Sequence, residues 1–160
     1  MKKLLIVWHS MTGGSEALAR AAADGAEEVE VHLLQADAAA ADDMLEADGY
    51  LFVFPENLAA ISGVMKTFFD RVYYPCLGQI EGRPYAVIVC AGSDGTNAVR
   101  QTERIATGWR LKKIADSLII CTHAQTAEAI LATKRIPEAD LVRARDLGAT
   151  LAAGLAMGVF

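Results

Sequence analysis

Three short stretches hold most of the side chains suited to gripping a polar ligand. The first reads His9-Ser10-Met11-Thr12-Gly13-Gly14-Ser15. Its glycines let the backbone turn tightly and approach a ligand, and N–H groups at the head of a following helix attract an anion. Ser10, Thr12 and Ser15 add hydroxyl donors. No Asp or Glu occurs from Met1 to Ser15, and the stretch has no Lys or Arg. A phosphate here would therefore rest on neutral donors and the helix dipole. The second stretch, Pro55-Glu56-Asn57-Leu58-Ala59-Ala60-Ile61-Ser62-Gly63, exceeds the ~2–6 residues usual between a strand and a helix, and it suits a wall against something flat. The third, Ala91-Gly92-Ser93-Asp94-Gly95-Thr96-Asn97, has small residues whose backbone groups could meet the edge of a polar ring. Each alone also fits an ordinary turn, Asp94-Gly95 especially. Their convergence on one cleft is harder to explain that way.

Competing chemistries lack their residues. Neither GxGxxG nor GxxxxGK[ST] occurs, which removes the dinucleotide fingerprint and the P-loop hydrolases. A phosphorelay receiver needs clustered acids at the end of the first strand, where His9 and Ser10 stand. Cys76 to Arg83 has six intervening residues and no strand-to-helix context, so it is no phosphatase loop, and a GxSxG elbow is absent. Three cysteines (Cys76, Cys90, Cys121) without CxxC spacing argue against a disulfide framework and a zinc site. The net charge of −5 disfavours a nucleic-acid groove. A charge-free stretch from Leu147 to Phe160 falls short of the ~18–20 residues of a membrane span. A cytoplasmic protein without a membrane span is the expectation, and residues 1–160 are expected to form a single domain.

The elements that must position these stretches show in the hydrophobic pattern. Apolar runs lie at Lys3–Trp8, Val29–Leu34, Tyr50–Phe54, Tyr85–Cys90 and Ser117–Cys121. Most are continuous rather than alternating, as in parallel strands covered on both faces, while Val29–Leu34 alternates at first and suits an edge. Helical patterns fall between them, at Ser15–Glu28, Ala38–Ala47, from Gly63 with Ser62 as N-cap until Pro75, at Thr96–Trp109, and from Pro137 onward. The expectation is an α/β fold of three layers, an open parallel sheet of five strands in the order 2-1-3-4-5 with helices on both faces. Ligands bind such a sheet beyond the carboxyl ends of strands 1 and 3, where the three stretches lie.

On these stretches the chain resembles the flavodoxin-like superfamily of FMN-binding proteins. Ser10-Met11-Thr12-Gly13-Gly14-Ser15 is similar to its Ser-x-Thr-Gly-x-Thr phosphate loop, with Gly14 where Asn is common and Ser15 in place of Thr. Pro55-Glu56-Asn57, followed by Gly63-Val64-Met65-Lys66 and Asp70, resembles the Pro-Glu-Tyr-Asn…Pro-Gly-x-Leu-Lys…Asp signature of NAD(P)H-dependent FMN reductases, without its Tyr. The multimeric tryptophan-repressor-binding-protein-like quinone reductases have a comparable loop. The resemblance implies that Ser10, Met11, Thr12, Gly13, Gly14 and Ser15 hold the FMN phosphate. It implies that Pro55, Glu56, Asn57 and Leu58 border the isoalloxazine on one side, and that Gly92, Ser93, Asp94 and Gly95 meet its pyrimidine edge on the other.

Neither ring-side stretch has an aromatic residue, so one flavin face could stay open to a substrate, or equally the pocket could bind FMN weakly. Trp109, Tyr73 and Tyr74 could reach the ring, though packing is the more usual role for each. The expected activity is an FMN oxidoreductase reduced by NAD(P)H and oxidised by a quinone or similar acceptor. The flavin performs the hydride chemistry, so no catalytic residue and no metal ligand is assigned. The alternatives are an electron carrier serving redox-protein partners and a flavin-free interaction module. Glu56 beside the ring would lower its potential. His9 and His123 could titrate near neutrality, and Cys90 within a strand should be inert. The relatives' habits suggest a homodimer or homotetramer.

Overall fold

A computed structural model describes residues 1–160. Strand β1 (Lys3–Trp8) lies between β2 (Glu30–Gln35) and β3 (Gly49–Asn57), all parallel. The far side of β3 pairs with β5 (Pro84–Ala91), whose outer edge carries β6 (Lys112–Lys113) and β7 (Leu118–Cys121). With β6 and β7 as one interrupted edge strand, the order 2-1-3-4-5 holds. The interruption has a simple cause. Pro84 faces Lys112 and Ile88 faces Leu118, offsets of 112 − 84 = 28 and 118 − 88 = 30, so two extra residues loop out between them. The seventh strand, β4 (Ala60–Ile61), folds back antiparallel on the end of β3. What looks like a long loop in the sequence is therefore a β-hairpin.

Side chains along the strands alternate between two cores. Leu5 and Val7 of β1 and Tyr50, Phe52 and Phe54 of β3 face one way, toward α2 (Ala41–Glu46), α3 (Gly63–Cys76) and α4 (Thr96–Gly108). This core is aromatic, with Phe52 edge-on to Phe69 at 5.2 Å. Leu4, Ile6, Leu51 and Val53 face the other way, toward α1 (Gly14–Gly25) and α6 (Glu138–Met157). That core is built on alanine and small aliphatic residues, which lets the two helices approach. A Cβ on Gly25 would collide with the Arg145 carbonyl, and one on Gly148 with the Ala22 carbonyl.

Several helix ends differ from the expectations. Helix α1 stops at Gly25 rather than Glu28, and α2 is six residues long. The lost ends of α2 are replaced by arginines from its neighbours. Arg83 donates to the carbonyls of Met44, Leu45 and Ala47 at 3.0, 2.8 and 2.6 Å, and Arg71 to those of Ala36 and Ala39. Pro75 sits inside the last turn of α3, which ends one residue later. Ser62 precedes α3 without a side-chain cap bond, because its hydroxyl is engaged elsewhere. Helix α5 (Ala127–Leu131) was not anticipated. No helix is long and apolar enough to cross a membrane.

Candidate functional site

Loop 1 joins β1 to α1 across the switch point. The His9 N–H extends the ladder to the Val53 carbonyl at 3.0 Å, after which the chain leaves the sheet. Ser10 Oγ accepts from the Gly13 N–H at 2.9 Å, closing a tight turn while its own proton stays available. Gly13 has φ +97°, a conformation that favours glycine. Gly14 is required for a different reason: a Cβ there would lie 2.9 Å from Cys90 Sγ. The N–H groups of Gly14, Ser15 and Glu16 head α1, where no intrahelical carbonyl exists for them. Ser15 is 2% exposed, and its Oγ has no hydrogen-bond partner. A buried hydroxyl left this way costs free energy unless a ligand supplies the missing bond. Glu16, the carboxylate in the first turn of α1, is turned to Arg20 at 2.9 Å.

Loop 2 is the β3–β4 hairpin. Its two turn residues, Leu58 and Ala59, have φ +51° and +60°. Two positive φ values suit a two-residue hairpin, yet neither residue is the Asn or Gly that adopts them easily. Bonds to α4 hold the hairpin in place. The Ile61 N–H donates to Gln101 Oε1 at 3.0 Å, and Asn97 Nδ2 donates to the Ala59 carbonyl. Glu56 completes the junction, with Oε1 accepting from the Gly95 N–H at 2.9 Å and Oε2 from the Ala98 N–H at 3.1 Å. Its carboxylate therefore caps the positive end of α4, which leaves it less free to act on a ring in the cleft than the sequence suggested. Leu58 stands at the hairpin tip, fully exposed and outside the cleft.

Loop 3 leaves β5 for α4. Gly95, at φ +89°, packs so that a Cβ would come within 2.8 Å of Ile119. Asp94 Oδ1 accepts from Thr96 Oγ1 at 2.7 Å, and Ser93 is exposed. Of this loop, Ala91 and Gly92 reach the cleft; Ser93, Asp94 and Gly95 do not line it.

A fourth segment, absent from the sequence reading, completes the rim. After β7, the N–H groups of Thr122 and His123 donate to the carbonyls of Ala91 and Gly92, both at 2.8 Å. Helix α5 follows, capped by Thr126 Oγ1, and none of its residues is buried. Lys134 closes the segment. Its N–H donates to the Thr12 carbonyl at 2.8 Å, and Nζ donates to the carbonyls of Ala129, Ile130 and Ala132. The signal for this segment was positional, since every loop after a parallel strand's carboxyl end meets the same rim. The cleft is walled by Met11 and Thr12, by Pro55, Glu56 and Asn57, by Cys90, Ala91 and Gly92, and by Thr122, Ala124, Ile130 and Lys134. It measures about 60 Å³ with α5 over it, below the ~300–1,000 Å³ of usual small-molecule pockets.

No aromatic ring lines it. Trp109 is 1% exposed, donates from Nε1 to the Tyr73 carbonyl and stacks on Tyr73 at 5.3 Å. Both lie near the carboxyl ends of α3 and α4, at the opposite end of the sheet, and Tyr74 projects from the same end of α3. Burial raises the Cys90 thiol to about 11, with the Lys134 charge opposing, so Cys90 stays a neutral thiol near pH 7. His9 lies on the far side of loop 1, with Nδ1 2.8 Å from Ser62 Oγ. Burial lowers its pKa, opposed by the charge of Asp37. His123 is exposed, at φ +58°.

Comparison with known proteins decides the family. A family model described as NADPH-dependent FMN reductase matches residues 35–125, more than half of the chain. The chain belongs to this family. A flavodoxin from Aquifex aeolicus (strain VF5) is 38% identical over 96 residues, which span 58% of this chain and 50% of that protein. The chain thus matches half the length of this curated relative.

Solved structures agree on the fold. A flavodoxin from the domain Archaea superposes with a TM-score of 0.80 at 18% identity, covering 96% of this chain and 98% of that one. A flavodoxin, WrbA-like protein from Agrobacterium tumefaciens gives 0.75 at 17%, covering 98% and 99%. The flavodiiron protein from Giardia intestinalis gives 0.79 at 18%, covering 99% of this chain and 37% of that one. The cofactor of this FMN reductase family member is FMN, and the phosphate end of the site fits it. An orphaned buried hydroxyl, a left-handed glycine and an uncapped helix head form a cradle for a phosphate ester.

Proposed function

We propose that the chain is an FMN-dependent oxidoreductase that takes electrons from NAD(P)H and passes them to a small acceptor such as a quinone. The observation that supports this best is the wall of the cleft. No Phe, Tyr or Trp stands among its lining residues to cover a flat ring, which leaves the face of a bound flavin open to a second ring. Bound FMN supplies the hydride and electron chemistry. The residues bind and orient. Ser10, Met11, Thr12, Gly13, Gly14 and Ser15 take the phosphate through backbone N–H groups and hydroxyls. Pro55, Asn57 and the Glu56 backbone border the ring, and Gly92 meets its opposite edge. Ser93, Asp94 and Gly95 shape that edge without lining the cleft, and Glu56 holds the two ring-side loops in register. Leu58 borders the entrance. Residues 1–160 act in this reading as one unit.

The test is steady-state oxidation of NADH and NADPH with benzoquinone, compared with free FMN at equal concentration. Turnover well above free FMN supports the reading, and none above it overturns it. The kinship with a flavodoxin favours a second reading, an electron carrier for protein partners. That reading expects bound FMN, no quinone turnover and electron exchange with a redox protein. Membership in an FMN family weighs against a flavin-free module, and a colourless protein after incubation with excess FMN would reopen it. Gel filtration tests for a homodimer or homotetramer.

A further inference from the structure

Lys134 is an ammonium without an acid. None of the protein's ion pairs includes it, and Nζ is bonded only to the neutral carbonyls of Ala129, Ile130 and Ala132 at 2.8, 2.7 and 2.7 Å. The same residue is fastened to loop 1. Its N–H donates to the Thr12 carbonyl at 2.8 Å, and its Cβ lies 3.4 Å from the point a Gly14 Cβ would occupy. It is half-buried, and its charge acts on the adjacent Cys90 thiol. Loop 1 contributes no cation of its own, and the helix dipole amounts to about half a charge. A phosphate dianion on that loop would be under-compensated by the loop alone.

We infer that Lys134, delivered from a segment 120 residues downstream of loop 1 (134 − 14), is the countercharge for the phosphate ester and sets the preference for a phosphorylated flavin. The inference rests on the FMN reading of the cleft. A flexible four-carbon stem lets Nζ exchange its carbonyl partners for a phosphate oxygen without moving the backbone held at Thr12. A phosphate oxygen carries formal negative charge where a carbonyl has only a partial one, so the Coulomb attraction favours the exchange. The preference is electrostatic, so it weakens as salt screens it.

The experiment titrates purified, flavin-stripped protein with FMN and separately with riboflavin, which lacks the phosphate, following flavin fluorescence. Wild type is expected to bind FMN more tightly than riboflavin, with a preference that shrinks as salt rises. Lys134→Gln should lose about tenfold in FMN affinity and leave riboflavin affinity unchanged, since one charge-assisted contact is removed. Lys134→Arg should keep most of the preference. If Lys134 served only to anchor α5, both flavins would weaken alike in Lys134→Gln, and the inference would fall. It would fall equally if the FMN-to-riboflavin ratio matched that of wild type. Wild type that binds neither flavin would instead sink the FMN reading itself. Circular dichroism of each variant confirms that the sheet and helices are intact.

Discussion

The two helices that meet at the cleft are held in opposite ways. Helix α1 is locked from behind, where its backbone lies against α6 with no room for even a methyl group at Gly25 or Gly148. Its buried face of Leu18, Ala19 and Ala22 continues that contact into the sheet. Helix α5, across the cleft, buries nothing, and Ile130 and Leu131 are 42% and 69% exposed. One N-cap and one lysine hold it in place. A fixed anion cradle and a loosely tethered cover suit a site that must fix a cofactor yet admit a ring wider than the present 60 Å³. In the proposed reading the tightly packed side would take the phosphate and the exposed side the ring.

The largest effect should come from breaking the locked side. Gly148→Ala drives a methyl group into the Ala22 carbonyl, a backbone atom that cannot rotate away. Overpacking of this kind costs about 3 kcal/mol, which for a chain of this size lowers the melting temperature by roughly 10 °C. Ala129→Gly in α5 should shift it by less than about 2 °C, since little of the global stability depends on that helix. Thermal unfolding of both variants makes the contrast measurable, and equal shifts would dissolve it.

The junction between the two ring-side loops comes next. Glu56→Ala removes both acceptors at the head of α4 and leaves the Gly95 and Ala98 N–H groups unpaired. A lost cap costs about 1–2 kcal/mol in urea unfolding. Glu56→Gln keeps one carbonyl acceptor and should lose about half as much. If the alanine variant were as stable as wild type, the carboxylate would be free to face the ring.

A third, smaller effect isolates the contact that makes position 14 a glycine. Gly14→Ala sets a methyl group 2.9 Å from Cys90 Sγ and 3.4 Å from Lys134 Cβ. The expected loss is about 1 kcal/mol. Cys90→Ala removes the opposing sulfur, so the double variant should recover most of it. A double-mutant cycle with no coupling between positions 14 and 90 would place the constraint elsewhere.

What the sequence made legible follows from the range of each interaction. The strands β1, β3 and β5 are continuous apolar runs, so their positions and parallel order could be read locally. The role of Gly14 could not, because the sulfur that requires it lies 76 residues away (90 − 14). Glu56 is similar: a carboxylate in a loop looks solvated until the fold brings the head of α4 to it. Pro55–Asn57 continues β3 although Pro lacks a ladder donor, because the hairpin bond it forms uses its carbonyl, which accepts from the Ser62 N–H at 3.2 Å. Helix α5 was invisible for the opposite reason. It buries no face, and so it leaves no periodic pattern to find.

The smallest expected effect concerns the outer side of loop 1, where His9 ties the end of β1 to the start of α3 through Ser62 Oγ. Burial holds its pKa below 6.5 in the folded protein, with Asp37 pulling weakly the other way. Between the folded and unfolded values the unfolded chain binds more protons, so stability rises with pH through that interval. The contribution of neutral His9 is complete above pH 6.5 and is lost as pH falls from there toward the folded value. Wild type and His9→Asn, unfolded in urea at matched pH values from about 7.5 down to 5, should differ in slope, the variant being flatter, since every other titrating group is common to both. Parallel curves would mean that the imidazole is as well solvated folded as unfolded. In that case loop 1 would owe its geometry to Gly13 and the clamp on α1, with no help from the strand end behind it.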